Sequence, residues 1–412
     1  MKYYLKSILY IGFSALSTLP VLAKSGNDVE KFNPISTGVT TLSIAPDARG
    51  GSMGDLGAAT DPDVNSQFWN PAKYPFAYSA AGVSASYTPW LRKLVNDINL
   101  AYVAGYWRFG GKGVQALSAS LRYFSLGSVT INDGSGATIN TVNPYEMAVD
   151  LGYSRRLSKS FSMGVVFRFI YSDLGFGGIS SAEEMSGGAA FAADISGYQT
   201  VYPIIGRSEC QFSWGFNISN IGSKVSYDNG TTNAFLPTNL RIGFSFLFPI
   251  YDYNTLALNL DINKLLVPAA PRQEDYRFDE DSEYAGAYDT ESYNQALQDY
   301  YNTGPIAGIF KSFHDAPGGW KEELEEIYAS FGLEYAYNHR FFVRTGYYYE
   351  NKYKGNRQYA TFGVGFSLYV FSIDAAYVVA TKQSSPLDQT MRFTLSFDMD
   401  GIKGLGNKRH RR

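Results

Sequence analysis

The chain has 412 residues, enough for two or three ordinary domains or for one large β-barrel, and it carries 18% charged against 16% aromatic residues. So little charge excludes intrinsic disorder, and a formal net charge of −3 offers no basic field to hold nucleic acid. A single cysteine, Cys210, excludes a disulfide framework and a cysteine-rich metal site, and three histidines (His314, His339, His410) leave little for a histidine-based one. No cofactor is expected.

The chain opens on Met1-Lys2-Tyr3-Tyr4-Leu5-Lys6, a short basic stretch, followed by an apolar run from Ile8 to Leu22 that closes on Val21-Leu22-Ala23. This pattern predicts a signal peptide over 1–23, cleaved after Ala23, and an exported protein. A retained anchor is the alternative, and Ser14, Ser17 and Pro20 interrupt the run against it.

Residues 24–77 precede the first strand and are rich in glycine, with Gly50-Gly51-Ser52-Met53-Gly54-Asp55-Leu56-Gly57. They are expected to form a plug or hook, inside the barrel or under its wall, where backbones approach closely. Gly50–Gly54 formally matches G-x-S-x-G, but a nucleophile elbow needs a buried strand before it, and Pro46 and Arg49 stand there instead. A phosphate loop lacks its Gly-Lys-Ser/Thr.

From about residue 78 a period of two dominates. Phe161, Met163, Val165, Phe167 and Phe169 alternate with Ser162, Gly164, Val166, Arg168 and Ile170, and the pattern recurs to Met391, Phe393, Leu395 and Phe397. Even 359–380, long and apolar enough for a membrane helix, alternates and holds glycines, so it predicts two strands joined by a tight turn near Tyr369–Ser372. About fourteen such segments lie near 78–89, 97–109, 115–127, 144–157, 161–175, 188–202, 210–221, 237–249, 255–267, 329–338, 340–350, 357–369, 372–381 and 389–399. Each approaches the ~9–11 residues of a tilted membrane strand, and an even number returns both ends to one side. Short connections alternate with long ones, and tyrosines such as Tyr347-Tyr348-Tyr349 gather at strand ends as an interfacial girdle would require. The expected fold is an all-β transmembrane antiparallel barrel over 78–400. An arginine on the lipid face costs roughly 2–4 kcal/mol, so Arg168, Asp261 and Arg392, on the polar register, are expected in the lumen.

The longest connection spans 269–328. Its acidic residues (Glu274-Asp275, Asp279-Glu280-Asp281, Glu283) lack EF-hand spacing and read as a solvated face rather than a calcium site. Trp320, Leu324, Ile327 and Phe331 recur at helical spacing, predicting one or two short helices above the barrel, whose stripe either caps the lumen or receives a partner. Tyr284, Tyr288, Tyr300, Trp320, Leu324 and Ile327 are the candidate partner-binding residues. Residues 401–412 form a basic tail expected in the periplasm.

Ala45-Pro46-Asp47-Ala48-Arg49 through Met53-Gly54, then Asn70-Pro71-Ala72, resembles the N-terminal signature of FadL-like fourteen-stranded barrels. More narrowly, Phe68-Trp69-Asn70-Pro71-Ala72-Lys73-Tyr74, Ser86-Tyr87-Thr88-Pro89-Trp90-Leu91, Asp97–Tyr102 and Leu121–Gly127 resemble the PorV family of type IX secretion. That resemblance implies a plug built on Arg49, Met53, Gly54, Asn70, Pro71 and Ala72. It further implies an outer-membrane, non-enzymatic protein that works beside a large translocon barrel. There it would receive cargo with C-terminal β-sandwich signal domains and deliver it to a sortase-like attachment complex. A FadL-like passive channel for hydrophobic small molecules and a lipopolysaccharide O-deacylase are the competing readings.

Overall fold

The computed structural model describes residues 32–399 except 93, 94, 96, 133, 134, 176–185, 229–232, 279–283, 285, 369 and 382–386. The expected signal peptide, the basic tail, and Asp279-Glu280-Asp281 with Glu283 lie outside the described residues.

Fourteen antiparallel strands close into a barrel: β1 (Ala81–Pro89), β2 (Ile98–Phe109), β3 (Gln115–Leu126), β4 (Tyr145–Arg156), β5 (Phe161–Asp173), β6 (Gly188–Val201) and β7 (Gln211–Gly222) form one half. The wall continues with β8 (Asn239–Tyr251), β9 (Asn254–Leu265), β10 (Ile327–Tyr337), β11 (Phe341–Tyr349), β12 (Gln358–Ser367), β13 (Phe371–Ala380) and β14 (Met391–Asp398). Each strand pairs with its neighbours in sequence, and β14 closes the ring on β1, with Gly82 opposite Asp398 and Tyr87 opposite Phe393. Closure leaves no free sheet edge, the condition for strands in lipid. The stretch 359–380 forms β12 and β13, and the turn between them, 368–370, begins slightly earlier than expected.

The period of two sorts the side chains. Leu121, Leu151, Phe167, Phe191, Val364 and Phe393 are exposed on the outer surface, where lipid replaces water. Arg168, Asp261 and Arg392 are buried inside, as their register requires. Arg168 shows how such charge is tolerated: it pairs with Asp150 at 2.7 Å and Asp194 at 3.1 Å, and donates to Asn220. Tyr347-Tyr348-Tyr349 divides the same way. Tyr347 and Tyr349 face out, but Tyr348 turns into the lumen and stacks on Tyr359 at 4.8 Å, so only two of the three serve the girdle.

Connections 110–114, 157–160, 202–210, 252–253, 338–340 and 368–370 lie at one mouth, and 90–97, 127–144, 174–187, 223–238, 266–326, 350–357 and 381–390, most of them longer, at the other. The longest carries, among the described residues, three α-helices and one 3-10 turn rather than one or two helices.

Residues 33–77 run through the lumen from the long-connection mouth to the short-connection mouth. At the first, Asn33 N–H donates to the Tyr353 carbonyl and Gly38 N–H to the Phe235 carbonyl, both 2.8 Å. Midway, the one-turn helices α1 (Ala48–Gly51) and α2 (Ser66–Trp69) pack together through Asp47, which accepts from Gly50 N–H (2.8 Å) and from the Trp69 indole (2.6 Å). At the second mouth, Arg108 donates to the Ala77 carbonyl, and both Arg108 and Arg156 to that of Pro75. This segment crosses the barrel as a strap from mouth to mouth.

Candidate functional site

The residues that the sequence singled out lie on the strap, among others that bond the wall. Arg49 makes a two-pronged bond to Glu334 on β10 (3.1 and 3.0 Å) and a second ion pair to Asp63 at 3.0 Å. Met53 lies where β10 and β11 offer no side chain: a Cβ on Gly332 would stand 2.6 Å from the Met53 Cβ, and one on Gly346 2.0 Å from its carbonyl carbon. Gly54 has φ +81° and touches the Tyr347 backbone, a position only glycine fills without strain. Asn70 donates to the carbonyls of Ala58 (2.8 Å) and Gly197 (2.9 Å) and accepts from Ala72 N–H, with Pro71 at the first position of the turn between them. The Ala72 carbonyl accepts from Ser162 on β5. Arg49, Met53, Gly54, Asn70 and Ala72 thus touch the wall, and Pro71 lies between two of them. Ser52, the central residue of Gly50–Gly54, is buried at the end of α1, with its hydroxyl donating to the Arg49 carbonyl at 2.7 Å. It follows a helical turn rather than a strand, so the strained elbow that activates a serine is not built.

The second region is the long connection 266–326, with α3 (Thr290–Asn302), α4 (Pro305–Lys311) and α5 (Trp320–Glu325). α5 is mounted inside out. Its acidic residues face the barrel, where Lys264 binds Glu323 (2.9 Å) and Glu326 (2.6 Å), and Lys354 binds Glu322 and Glu326. Trp320 and Leu324, 70% and 55% exposed, face outward. The lumen is therefore capped by ion pairs, and the apolar stripe is left on the surface. α4 is seated without ion pairs: Gly308 sets it against Phe235, while Ile306 and Phe310 are 66% and 69% exposed.

The other candidates separate. Tyr284 is exposed and lies near Phe278; Tyr288 is exposed with Arg277 over its ring and donating to its hydroxyl. Tyr300 packs edge-on against Phe235, and Lys224 donates to the carbonyls of Tyr300 and Tyr301 at the end of α3, so Tyr300 holds the connection together rather than offering a free ring. Ile327 and Phe331 are not on the helix. Ile327 opens β10 opposite Lys264, and strand pairing ends the helical repeat at Glu326. Sequence reasoning missed Ile306, Phe310 and Phe313, although their spacing carried the same helical signal. Glu274 and Asp275 are described, with Asp275 paired to Arg272 at 2.7 Å, and no cluster able to hold a metal occurs among the described residues.

A third feature had no sequence signal. At the short-connection mouth the lumen opens into a cavity of about 610 Å³, bounded inward by Arg49, Glu334, Arg344 and Asp374. Arg344 joins Glu334 to Asp374, each at 2.6 Å.

The family model for Type IX secretion system protein PorV matches residues 27–272. The chain belongs to the PorV family. The chain is also similar to several solved structures. The Ralstonia pickettii toluene transporter TbuX shares 12% identity at a TM-score of 0.42, covering 90% of this chain and 98% of that one. The Pseudomonas putida toluene transporter TodX shares 9% at 0.45, covering 89% and 99%. A Pseudomonas aeruginosa FadL homologue shares 10% at 0.40, again covering 89% and 99%. No curated protein matches the chain. This PorV-family barrel is thus an outer-membrane β-barrel of type IX secretion, crossing the membrane with strands and carrying its own strap and surface helices.

Proposed function

We propose that this PorV-family barrel receives cargo proteins with C-terminal β-sandwich signal domains as they leave a large translocon barrel, and shuttles them to a sortase-like attachment complex on the cell surface. The observation that carries this reading is the outward apolar face of α4 and α5. Water-exposed Ile and Phe side chains on α4, beside Trp and Leu on α5, whose glutamates are spent on the barrel, form a surface for a protein partner. In this reading the long connections are extracellular, both ends of the wall are periplasmic, and the signal peptide has been removed. The strap that runs through the lumen weighs against a passive channel for hydrophobic molecules, and the setting of Ser52 weighs against an O-deacylase.

The test is a mild-detergent pull-down of the tagged protein from native outer membranes, beside a Phe310→Asp/Trp320→Asp/Leu324→Asp variant. The native chain is expected to retain a very large barrel protein and secreted proteins sharing a C-terminal domain, and the variant to lose at least one class. Equal recovery of both classes would remove α4 and α5 from the contact. Recovery of lipid alone by the native chain would favour the channel.

A further inference from the structure

Three parts of the chain meet at the long-connection mouth: the outer end of the strap, the connection 350–357, and α5. The Glu322 carboxylate joins them. One of its oxygens accepts from the Asn33 side-chain amide at 3.1 Å and from Lys354 at 2.5 Å, and the other from Gly318 N–H at 2.7 Å. The Asn33 backbone N–H completes the circuit by donating to Tyr353, the neighbour of Lys354. Elsewhere on α5, Lys264 holds Glu323 and Glu326, and the second oxygen of Glu326 accepts from Lys354 at 3.1 Å. Asn33, Lys264, Lys354 and Glu326 are all buried, so dissolved salt screens these bonds little. The three glutamates share one short helical stretch. When α5 lifts, both lysines lose their carboxylates and Asn33 loses its acceptor in the same movement.

α4 rests on the same part of the strap. Gly38 N–H donates to the Phe235 carbonyl at 2.8 Å, and a Cβ on Gly308 would stand 2.8 Å from the Phe235 ring. Asn33 and Gly38 are thus bonded to surface connections, whereas the residues that follow are held by the wall. Val39 and Leu42 pack with Ala148, Ile170, Ala190 and Ala192, and Arg122 on β3 donates to the carbonyls of Thr41 and Ile44. The change of anchorage falls at Val39, whose φ is +50°. A β-branched residue is an outlier in that region, and such strain persists only where the surroundings enforce it. Freeing residues 33–38 lets Val39 return to an ordinary conformation.

We propose that α5 and the outer end of the strap, residues 33–38, form a single clasp on the long-connection mouth, hinged at Val39, so that whatever lifts α5 also frees the end of the strap. On the cargo reading above, and only on it, the lifting agent is a protein partner that draws on Trp320 and Leu324. By linkage, a partner that prefers the lifted helix binds more tightly once the strap's end is free.

The experiment follows amide exchange by mass spectrometry in the full chain in detergent micelles, after the heat-dependent gel shift has confirmed a closed barrel. Lys264 touches the glutamates of α5 and no residue of 33–38, so Lys264→Glu acts on the strap only through the helix. It is expected to speed exchange by about tenfold or more across 320–326 and, in step, across 33–38. Leu42 and Ile44, whose N–H groups donate to Val39 and Thr41, should keep their protection. Lys264→Met should give smaller changes in the same proportion. Asn33→Ala, made from the strap side, should speed exchange across 320–326. The proposal is overturned if residues 33–38 keep native exchange while α5 has loosened, if the loss of protection runs on through Leu42 and Ile44, or if none of the three variants loosens α5. No partner is present, so these outcomes stand apart from that of the pull-down.

Discussion

Arg392 and Asp55 lie 337 positions apart and meet at 2.7 Å inside the barrel, with the Tyr359 hydroxyl donating to the same carboxylate at 2.6 Å. Removing the arginine leaves Asp55 in a site that water enters poorly. Arg392→Met is therefore expected to cost about 3–5 kcal/mol, measured as a lower unfolding temperature, and adding Asp55→Asn should recover much of that loss. Gly346 supplies the steric counterpart. Its Cβ would fall 2.0 Å from backbone rather than from a flexible side chain, so Gly346→Ala has no relaxed solution with the strap in place. We expect protease to cut within 33–77 in that variant while the wall stays resistant. An intact strap would show that β11 can shift to admit a methyl group. The polar faces of these strands were legible in the sequence, because a period of two places Arg168, Asp261 and Arg392 on one side. Their partners were not. Asp55 reaches Arg392 from a segment with no repeat, at φ +61°, and nothing local signals an approach between such distant positions.

Strands and surface helices differ in how far their residues determine them. The fourteen wall segments followed from alternation and connection length because each strand is matched by the one beside it. The helical repeat Trp320, Leu324, Ile327, Phe331 could not disclose where it would stop, since that depends on Ile327 pairing with Lys264, and Lys264 lies on the far side of the connection. Nor could it disclose which face would turn inward; two lysines on β9 and in 350–357 decide that by binding the glutamates. Lys354→Glu is accordingly expected to free α5, seen as faster amide exchange across 320–326 with the wall unchanged. Asp315 adds a dependence on pH. Burial pushes its carboxyl up to about 6, with Glu326 and Glu323 adding to the rise against the Ala269 N–H, which donates to it. A raised value means the folded connection binds the proton more tightly than the open one. Order in 266–326 should thus weaken as pH rises from about 4 to about 6 and level off above. Asp315→Asn should slow exchange at pH 7.5 and flatten this profile. An unchanged profile would show that Asp315 does not govern it.

At the scale of the whole molecule, the two termini of the described unit leave by opposite mouths. Asn33 is held at the long-connection mouth by Tyr353 and Glu322, and Asp398 ends the wall at the other. If the long connections are extracellular, an epitope placed just ahead of Asn33 is expected to bind antibody on intact cells, whereas one placed after Arg412 should need permeabilised cells. The reverse result would invert the barrel. The course of the strap also restricts how such a molecule is made. Chains seldom pass through rings already closed. A segment bonded to the wall at both mouths and at many points between is no stopper that could be pushed in afterwards. The fourteen strands must curl around residues 33–77 while β1 and β14 are still apart, and the pairing of Gly82 with Asp398 and of Tyr87 with Phe393 is the last seam to be sewn.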